Sequence, residues 1–266
     1  MLKISFINNN KITAIMTWKI NYAKKLGKYN NSILIAGLPG IANTGKIAVD
    51  YLATELKAKK IADFSSDKGP AFTLINEENE VTMPKIELHH KKIKNKDFFF
   101  LVGDYQPVED EESYYFCSYI IELAKKLNVK QIITLGGIGL EEEPEKPQVY
   151  AAVNNKKFAK ELQKYKINTK VSKKVSTIIG VTGLLIALPK VNAAAILAET
   201  SIFPAHIGLN PAKELIKKLN NMFNFEAKFN NLNKEIKEIK KLTDSFMLQH
   251  KKMTSKKKVS DINYIG

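Results

Sequence analysis

The fold is decided by residues 32–52, which have the sequence SILIAGLPGIANTGKIAVDYL. The apolar run Ser32–Leu38 predicts a short buried strand, and Gly37–Gly40 predicts a tight turn at its end. Asn43 or Thr44 can cap the helix that follows. Its apolar residues recur at helical spacing: Ile47, Val49, Leu52 and Leu56. Residues 32–56 therefore predict a strand, a turn and a helix that packs on the strand.

The same alternation of strand and helix continues along the chain. Asp97–Gly103 and Gln131–Leu135 are continuous apolar runs of the kind found in buried parallel strands, and helices are expected over Glu111–Leu127 and Lys156–Lys164. Another helix is expected to begin at Asn210-Pro211, with Asn as the cap and Pro in the first turn. The other predicted elements are a hairpin over 72–88 with His89-His90 at a sheet edge, strands over Gln148–Val153, Val175–Val181 and Ala193–Ala198, and a short helix over Thr182–Leu188. This order predicts an α/β fold, a doubly wound and mainly parallel sheet with helices on both faces.

The composition divides the chain into four segments. Residues 1–31 form a polar N-terminal extension in which Met16 is an alternative start, and residues 32–222 form the α/β domain. Residues 223–250 predict an amphipathic helix, and residues 251–266 a flexible tail with an apolar end. One apolar stripe on that helix predicts burial in self-association or against the body: Phe225, Phe229, Leu232, Ile236, Ile239, Leu242 and Phe246.

The charge of the chain lies mainly at its ends. The net charge is +15, of which residues 1–31 carry +6 and residues 228–258 carry +7. All 42 basic residues are Lys, so the bidentate Arg contacts typical of specific nucleic-acid recognition are excluded. The lone Cys117 excludes an internal disulfide framework and favours a reducing compartment. Neither a signal peptide nor an apolar run of about 18 residues is seen, so we expect a soluble cytoplasmic protein with no membrane partner.

No complete catalytic or metal-binding motif is found. Residues Gly40–Lys46 satisfy the spacing of a phosphate-binding loop, but Ile47 stands where the loop needs a hydroxyl to hold Mg²⁺. The acidic loops, Glu109–Glu112 and Glu141–Glu143 with Glu145, are more often solvated than catalytic, and neither His89-His90 nor His206 has metal-site spacing. We therefore expect a protein that is not an enzyme and holds no metal or cofactor.

Several short segments, taken in order, resemble the archaeal-type branch of the proteasome assembly chaperone family. They are Gly37–Gly45, Gly103–Pro107, Gly136–Gly137, Gly180–Leu185, Leu197–Thr200 and Asn210–Ala212. The resemblance spans roughly residues 18–222. Its structural turn positions fall on Gly37, Pro39, Gly40, Gly45, Gly103, Gln106, Gly136, Gly137, Gly180, Gly183 and Glu199.

The resemblance implies a non-enzymatic, usually oligomeric protein. Such proteins are similar to factors that bind the α-subunit face of the 20S proteasome, either as assembly chaperones or as ATP-independent activators. Tails in the family often end in a hydrophobic residue, Tyr and any residue, whereas this chain ends in Asn263-Tyr264-Ile265-Gly266 with Tyr one position early. The resemblance thus implies partner binding through Ile262, Tyr264, Ile265 and Gly266, with Gly266 carrying the terminal carboxylate.

One alternative remains open on the sequence. The Gly-rich strand ends, such as Gly136–Gly139, are positions where open α/β sheets bind ligands, so the protein could be an enzyme that binds a nucleoside or nucleotide-like molecule. The chaperone interpretation accounts for the amphipathic helix, the polar tether and the apolar tail end. The enzyme interpretation accounts for none of these three features.

Overall fold

A computed structural model describes residues 18–23, 25–76, 78–203, 206–234 and 236. Its strands are β1 (Lys19–Tyr22), β2 (Ser32–Gly37), β3 (Lys59–Ser65), β4 (Leu74–Ile75), β5 (Val81–Thr82), β6 (Ile86–Ile93), β7 (Lys96–Gly103), β8 (Val129–Leu140), β9 (Val149–Val153) and β10 (Asn192–Ser201). Its helices are α1 (Thr44–Glu55), α2 (Asp110–Lys126), α3 (Lys156–Gln163), α4 (Val181–Ala187) and α5 (Leu209–Phe223), with 3₁₀ turns at Ile41–Asn43 and Val171–Lys173.

The main sheet has eight strands in the order β1-β3-β6-β7-β2-β8-β10-β9. The four central strands, β7, β2, β8 and β10, are parallel to one another. The strands on both sides of this centre pair in antiparallel fashion. The predicted α/β class is confirmed, but the sheet is mixed rather than mainly parallel.

Helices cover both faces of the sheet, as predicted. Helices α2 and α4 pack on one face of the sheet and form the first hydrophobic core with it. Helices α1, α3 and α5 pack on the opposite face and form the second core. Alternate residues of β2 enter the two cores, with Leu34 in the first and Ile35 in the second. Because the central strands are buried on both faces, their sequences are continuously apolar instead of alternating, as in Phe98–Val102.

The sheet begins before the predicted domain boundary at residue 32. Trp18 is buried, and its ring centroid lies 4.4 Å from that of Phe116 and 6.2 Å from that of Tyr105. Lys19–Tyr22 then pairs with β3 as the edge strand of the sheet. The body therefore includes part of the segment that composition alone assigned to a polar extension.

Three local predictions in the antiparallel and loop regions are wrong. Strand β6 lies between β3 and β7, so His89 and His90 occupy an inner strand rather than an edge. The second arm of the predicted hairpin is divided, because Val81–Thr82 pairs with β4 whereas β6 starts at Ile86. Residues 175–180 form no strand, and α4 begins at Val181.

The chain reverses direction after α5. Asn224 adopts a left-handed conformation with φ of 53°, residues 225–229 are not helical, and residues 230–234 and 236 are helical. The Tyr51 hydroxyl donates to the Lys228 carbonyl over 3.0 Å, and Lys213 Nζ donates to Asn233 Oδ1 over 2.6 Å. Because Lys213 lies near the start of α5, the chain runs back along α5 toward the end of the sheet from which α5 began.

The described part of the chain contains no helix with the length and apolar character needed to cross a membrane.

Candidate functional site

The turn after β2 brings α1 into direct contact with the sheet backbone. A Cβ atom on Gly37 would lie 2.2 Å from the Gly45 carbonyl oxygen, and one on Gly45 would lie 2.1 Å from the Leu135 carbonyl oxygen. Real Cβ atoms do not approach so closely, so both positions require glycine. The two glycines of this motif serve the packing of α1 on β2 and β8.

The same turn is closed to a phosphate group. Lys46 Nζ lies 2.7 Å from Asp50 Oδ2 and 3.6 Å from Asp104 Oδ1, so two carboxylates already neutralise it. Burial raises the pKa of Asp50, and the Lys46 hydrogen bond opposes that rise. The backbone N–H of Gly208 donates to the Ala42 carbonyl over 2.8 Å and covers the turn. This arrangement is an ion-paired, covered turn rather than an open nucleotide cradle.

Gln106 joins three of the sequence motifs at the carboxyl ends of the strands. Its side-chain amide donates to the Pro39 carbonyl, and a Cβ on Gly180 would lie 3.1 Å from Gln106 Oε1. Gly180 has φ of +73°, which L side chains rarely adopt. A Cβ on Gly103 would lie 2.9 Å from Leu38 Cδ2. Motifs more than 60 residues apart in the chain thus support one another at this edge.

The remaining motif glycines lie at the same edge, above β8. A Cβ on Gly137 would lie 2.9 Å from the Ile41 carbonyl oxygen, and one on Gly136 would lie 3.0 Å from Leu197 Cδ2. The Thr134 hydroxyl donates to the Thr182 carbonyl over 3.1 Å, which attaches the start of α4 to β8. Gly183 also packs on backbone, because its Cβ would lie 2.3 Å from the carbonyl oxygen of Ile178. Gly40 is different, since a Cβ there would meet nothing within 4 Å.

Glu199 is a buried carboxylate that ties two loops to β10. It accepts hydrogen bonds from the Gln148 backbone N–H over 3.1 Å and from the Tyr150 hydroxyl over 3.4 Å. Lys174 Nζ lies 2.9 Å from Glu199 Oε1, and this hydrogen bond raises the pKa of Lys174. Glu199 therefore holds the loops before β9 and α4 against the sheet.

A second polar cluster, which the sequence did not indicate, fixes the loop between β10 and α5. Glu143 contacts the His206 imidazole Nε2, the Thr200 hydroxyl and the Asn210 side-chain amide. In the sequence, Glu143 belongs to an acidic loop and His206 lacks metal-site spacing, so neither pattern predicts this contact. Because Glu143 and His206 are 63 residues apart, only the fold brings them together.

Large apolar side chains are exposed along this edge, which we call the carboxyl edge. Those on its loops are Ile41, Val108, Ile179, Ile202, Phe203 and Ile207, with Val108 88% and Phe203 70% exposed. Ile41 and Ile202 both lie over Gly139, where an added Cβ would approach their side chains. Exposed apolar side chains that share one end of a molecule are typical of a protein-docking surface.

The β4–β5 hairpin adds a second apolar group to the same end. It leaves the sheet where β3 ends and β6 begins, and β6 starts opposite Gly103, the last residue of β7. Its exposed apolar side chains are Phe72, Leu74, Ile75, Val81 and Met83. The sequence predicted a hairpin here but not that its apolar residues face solvent.

An acidic cavity of about 490 Å³ lies at the start of α2 on the carboxyl edge. It is lined by Lys68 and by Val108–Glu112. Glu112 is buried, and its Oε1 lies 3.0 Å from Lys68 Nζ. The other oxygen, Oε2, is buried without a hydrogen-bond partner among the described residues. The lining therefore carries excess negative charge.

The described residues offer little for catalysis. Burial raises the pKa of the Cys117 thiol to about 12, so this thiol is not a nucleophile at neutral pH. His89 and His90 hydrogen-bond to Glu87 and Asp97 within the sheet. Within the described ranges, no group of three or more His, Cys, Asp or Glu side chains is arranged to hold a metal ion.

The residues predicted for partner binding and self-association fall in two groups. Phe225 and Leu232 are buried against the same chain, and Phe229 and Ile236 are half-buried on the same core. These four follow the reversal after α5 instead of forming one helix from residue 223. Ile239, Leu242, Phe246, Ile262, Tyr264, Ile265 and Gly266 lie outside the described residues.

Comparison with known proteins gives consistent relatives over nearly the whole chain. A model of the PAC2 family matches residues 34–247. An uncharacterized protein of Methanocaldococcus jannaschii, MJ1210, is 24% identical over 258 residues, which are 95% of this chain and 98% of that protein.

Two solved structures from Pyrococcus furiosus share the fold. PbaB, described as an archaeal proteasome activator, has a TM-score of 0.79 at 24% identity and covers 88% of this chain and 100% of its own. PbaA, described as an archaeal homolog of proteasome-assembly chaperone, has a TM-score of 0.72 at 24% identity, covering 92% of this chain and 99% of its own.

Proposed function

Because this chain belongs to the PAC2 family, we propose that it is a proteasome assembly chaperone or ATP-independent activator that binds the α-subunit face of the 20S proteasome. The family match over residues 34–247 is the observation that carries the proposal. The PAC2 family is a proteasome assembly chaperone family and not a family of enzymes, so the prediction of a non-enzymatic protein is confirmed by membership.

The geometry of the carboxyl edge supports a docking role. Its glycines build a closely packed platform, because Gly37 and Gly45 let α1 rest on the sheet backbone. Apolar side chains such as Val108 and Phe203 stand out from that platform. A rigid edge with exposed apolar side chains can bury them against a partner at low entropic cost.

The proposed anchor is the tail, residues 251–266. Tyr264 offers a large contact area with few rotatable bonds, and Ile262 and Ile265 add apolar surface. The described chain returns at Asn233 toward the carboxyl edge, which is the end of the body that carries the exposed apolar groups. In a homo-oligomer in the cytoplasm, several tails would act together and raise the avidity of a weak single contact.

The alternative of a nucleotide-binding enzyme is not favoured. Lys46 is held by Asp50 and Asp104, and Gly208 covers the turn that a phosphate would need.

A binding experiment with purified 20S proteasome tests the proposal. We would compare the full chain with Tyr264→Ala and with a deletion of residues 251–266, measuring co-sedimentation with 20S particles or α subunits and cleavage of a short peptide. Asn263→Ala is the matched control, because it changes the tail without removing an apolar anchor. We expect the deletion to abolish binding, Tyr264→Ala to weaken it about tenfold or more, as loss of a Tyr hot spot does, and Asn263→Ala to change little.

Two results would contradict parts of this proposal. Equal binding by all four proteins would place the anchor on the α/β body instead of the tail. No binding of the full chain to 20S particles or to unassembled α subunits would refute the proposed partner.

A further inference from the structure

The carboxyl edge carries most of the apolar surface that the described residues expose. Of their fifteen exposed large apolar or aromatic side chains, eleven belong to the two groups at this edge, six on the loops and five on the hairpin. At about 50–100 Å² each, these eleven expose on the order of 500–1,000 Å². The largest apolar patch of a typical monomer is about 300–600 Å², and a standard interface takes about 800 Å² from each partner. The edge therefore has the area of one side of a stable protein interface.

The β4–β5 hairpin is a preformed arm on this edge. At its tip, Asn76 Oδ1 accepts hydrogen bonds from the backbone N–H groups of Glu78 over 3.1 Å and Glu80 over 2.8 Å. At its base, the Asp104 backbone N–H donates to the Lys85 carbonyl over 2.8 Å, and the Lys85 backbone N–H donates to Asp104 Oδ2 over 3.0 Å. Because both ends of the arm are already ordered, a partner that binds it pays little conformational entropy.

One face of the hairpin is apolar and open to solvent. Ile75 and Val81 are directly opposite each other in the register, so their side chains share a face, and they are 71% and 68% exposed. Met83, two residues after Val81, is 64% exposed. The two strands form a sheet of their own, and an isolated two-stranded hairpin is at best marginally stable in water. A cover over this face would therefore stabilise the arm.

A second copy of the chain provides a matching cover. The apolar stripe that the sequence predicts for self-association is already used within one chain, because Phe225 and Leu232 are buried in its core. Among the described residues, the apolar surface that is left for self-association lies at the other end, on the carboxyl edge. Each copy carries the hairpin and the apolar loops at this one end, so a two-fold axis buries both groups of both copies at once.

Charge selects how the two copies face each other. The hairpin leaves the sheet between β3 and β6, on the side away from β9. That side is acidic, with Glu78 and Glu80 exposed at the tip and four carboxylates at the start of α2. The β9 side has the exposed cations Lys170 and Lys173 as well as the acidic loop Glu141–Glu143. Like charges that meet across an interface are costly, so the hairpin of one copy faces the β9 side of the other and not a second hairpin.

We propose that two copies of this chain pack carboxyl edge against carboxyl edge about a two-fold axis, the hairpin of each lying on the loops that follow β8 and β10 in the other. This inference rests on the proposed function and deepens it, because self-association brings together the several tails that would bind the proteasome. The contact itself requires no proteasome.

Sedimentation of the full chain over a concentration series tests the contact. We expect particles of at least twice the 30.0 kDa chain mass, and we expect them to persist in 1 M NaCl because apolar burial is not screened by salt. Ile75→Asp and Phe203→Asp should each raise the dissociation constant about 30-fold or more, as the loss of an interface hot spot does. The matched control is Leu188→Asp, which changes an exposed apolar residue between α4 and β10, at the opposite end, and should leave the dissociation constant unchanged.

A cross-link measures the orientation of the two copies. The single Cys117 is buried, so a Cys introduced at an exposed position is the one that a short bis-maleimide reagent reaches in the folded protein. We expect a mixture of the Ile75→Cys and Phe203→Cys proteins to give links between the two variants. Links formed instead between two Ile75→Cys chains would contradict the proposed packing.

Three further results would overturn the proposal. They are a full chain that stays monomeric at about 100 μM, where a micromolar contact is saturated, dissociation in 1 M NaCl, and an equal effect of Leu188→Asp and Ile75→Asp. The mass of the unmodified chain needs no substitution, so a variant that fails to fold does not remove the test. A monomer whose 20S binding is lost in Ile75→Asp would assign the edge to the proteasome and refute self-association alone. A dimer that binds no 20S particle would refute the proposed function alone.

Discussion

Aromatic side chains at the amino end of the parallel strands turn inward, whereas apolar side chains at the carboxyl end face solvent. At the amino end, the ring centroid of Phe225 lies 4.8 Å from that of Phe98 and 5.4 Å from that of Phe223. At the carboxyl end, Phe203 is 70% exposed and Val108 still more. The amino end is therefore organised for stability, and the carboxyl end keeps apolar surface available for contacts.

The largest expected effect tests this comparison with one residue type at both ends. Phe225→Ala should lower the free energy of unfolding by about 3–5 kcal/mol, because it leaves a cavity among three packed rings. Phe203→Ala should change it by less than about 0.5 kcal/mol, as expected for an exposed side chain. Urea denaturation of both variants measures the difference, and similar losses would contradict the distinction between the two ends.

The second prediction separates the rigid layer of the carboxyl edge from its exposed surface. Gly45→Ala should destabilise the protein by about 3 kcal/mol, because the new methyl group would press on the Leu135 carbonyl and helix α1 must shift. Gly40→Ala, in the same turn, should cost less than about 0.5 kcal/mol because its Cβ meets open space. Thermal melts of the two variants test this prediction. If Gly45→Ala lowers the melting temperature no more than Gly40→Ala does, helix α1 can shift on the sheet without loss of stability.

A third prediction compares helix starts at the two ends. At the amino end, Asn155 Oδ1 accepts from the Phe158 backbone N–H over 2.9 Å, so Asn155→Ala should cost about 1 kcal/mol. At the carboxyl end, the Glu109 side chain makes no capping hydrogen bond to α2. Glu109→Gln should therefore cost at most about 0.5 kcal/mol, from the helix dipole alone. Chemical denaturation measures the loss in unfolding free energy for each variant. A larger loss for Glu109→Gln than for Asn155→Ala would mean that Glu109 stabilises the fold.

The smallest effect concerns the interior beneath the carboxyl edge. Burial raises the pKa of Cys117 to about 12, while an unfolded Cys titrates near about 8.5. Between these values the unfolded chain loses the thiol proton first, so this group lowers stability as pH rises above about 8.5. We expect a thiol reagent to modify the native protein at pH 9 only after unfolding. Rapid modification of the folded protein would mean that this interior opens.

Local sequence patterns were sufficient where the signal is contiguous. The run Phe98–Val102 and the turn Gly37–Gly40 identified buried strands and the close approach of α1, and the repetition of such units gave the α/β class with helices on both faces. The motifs from Gly37 to Ala212, taken in order, also indicated the family. Each of these features is decided by residues near one another in the chain.

Strands β1 and β3 were missed, and β6 was placed at a sheet edge, because their sequences lack a continuous apolar run. β3 begins with Lys59-Lys60 and β6 contains His89-His90 followed by Lys91-Lys92, so neither resembles a buried strand. The sequence around Trp18 also did not indicate that Lys19–Tyr22 pairs with β3 as a strand of the sheet. The direction of these strands depends on which neighbour offers free backbone hydrogen bonds, and that is a property of the assembled sheet.

The sequence by itself determined the α/β alternation, the glycine turns that let α1 touch the sheet, and the lysine-rich and apolar segments of the tail. Only the tertiary structure decided that Lys46 also pairs with Asp104, that Glu143 meets His206, and that Lys68 pairs with the buried Glu112. The physical reason is distance along the chain. Propensity and packing of adjacent residues act locally, whereas charge pairing and exposure depend on residues that become neighbours only when the strands assemble.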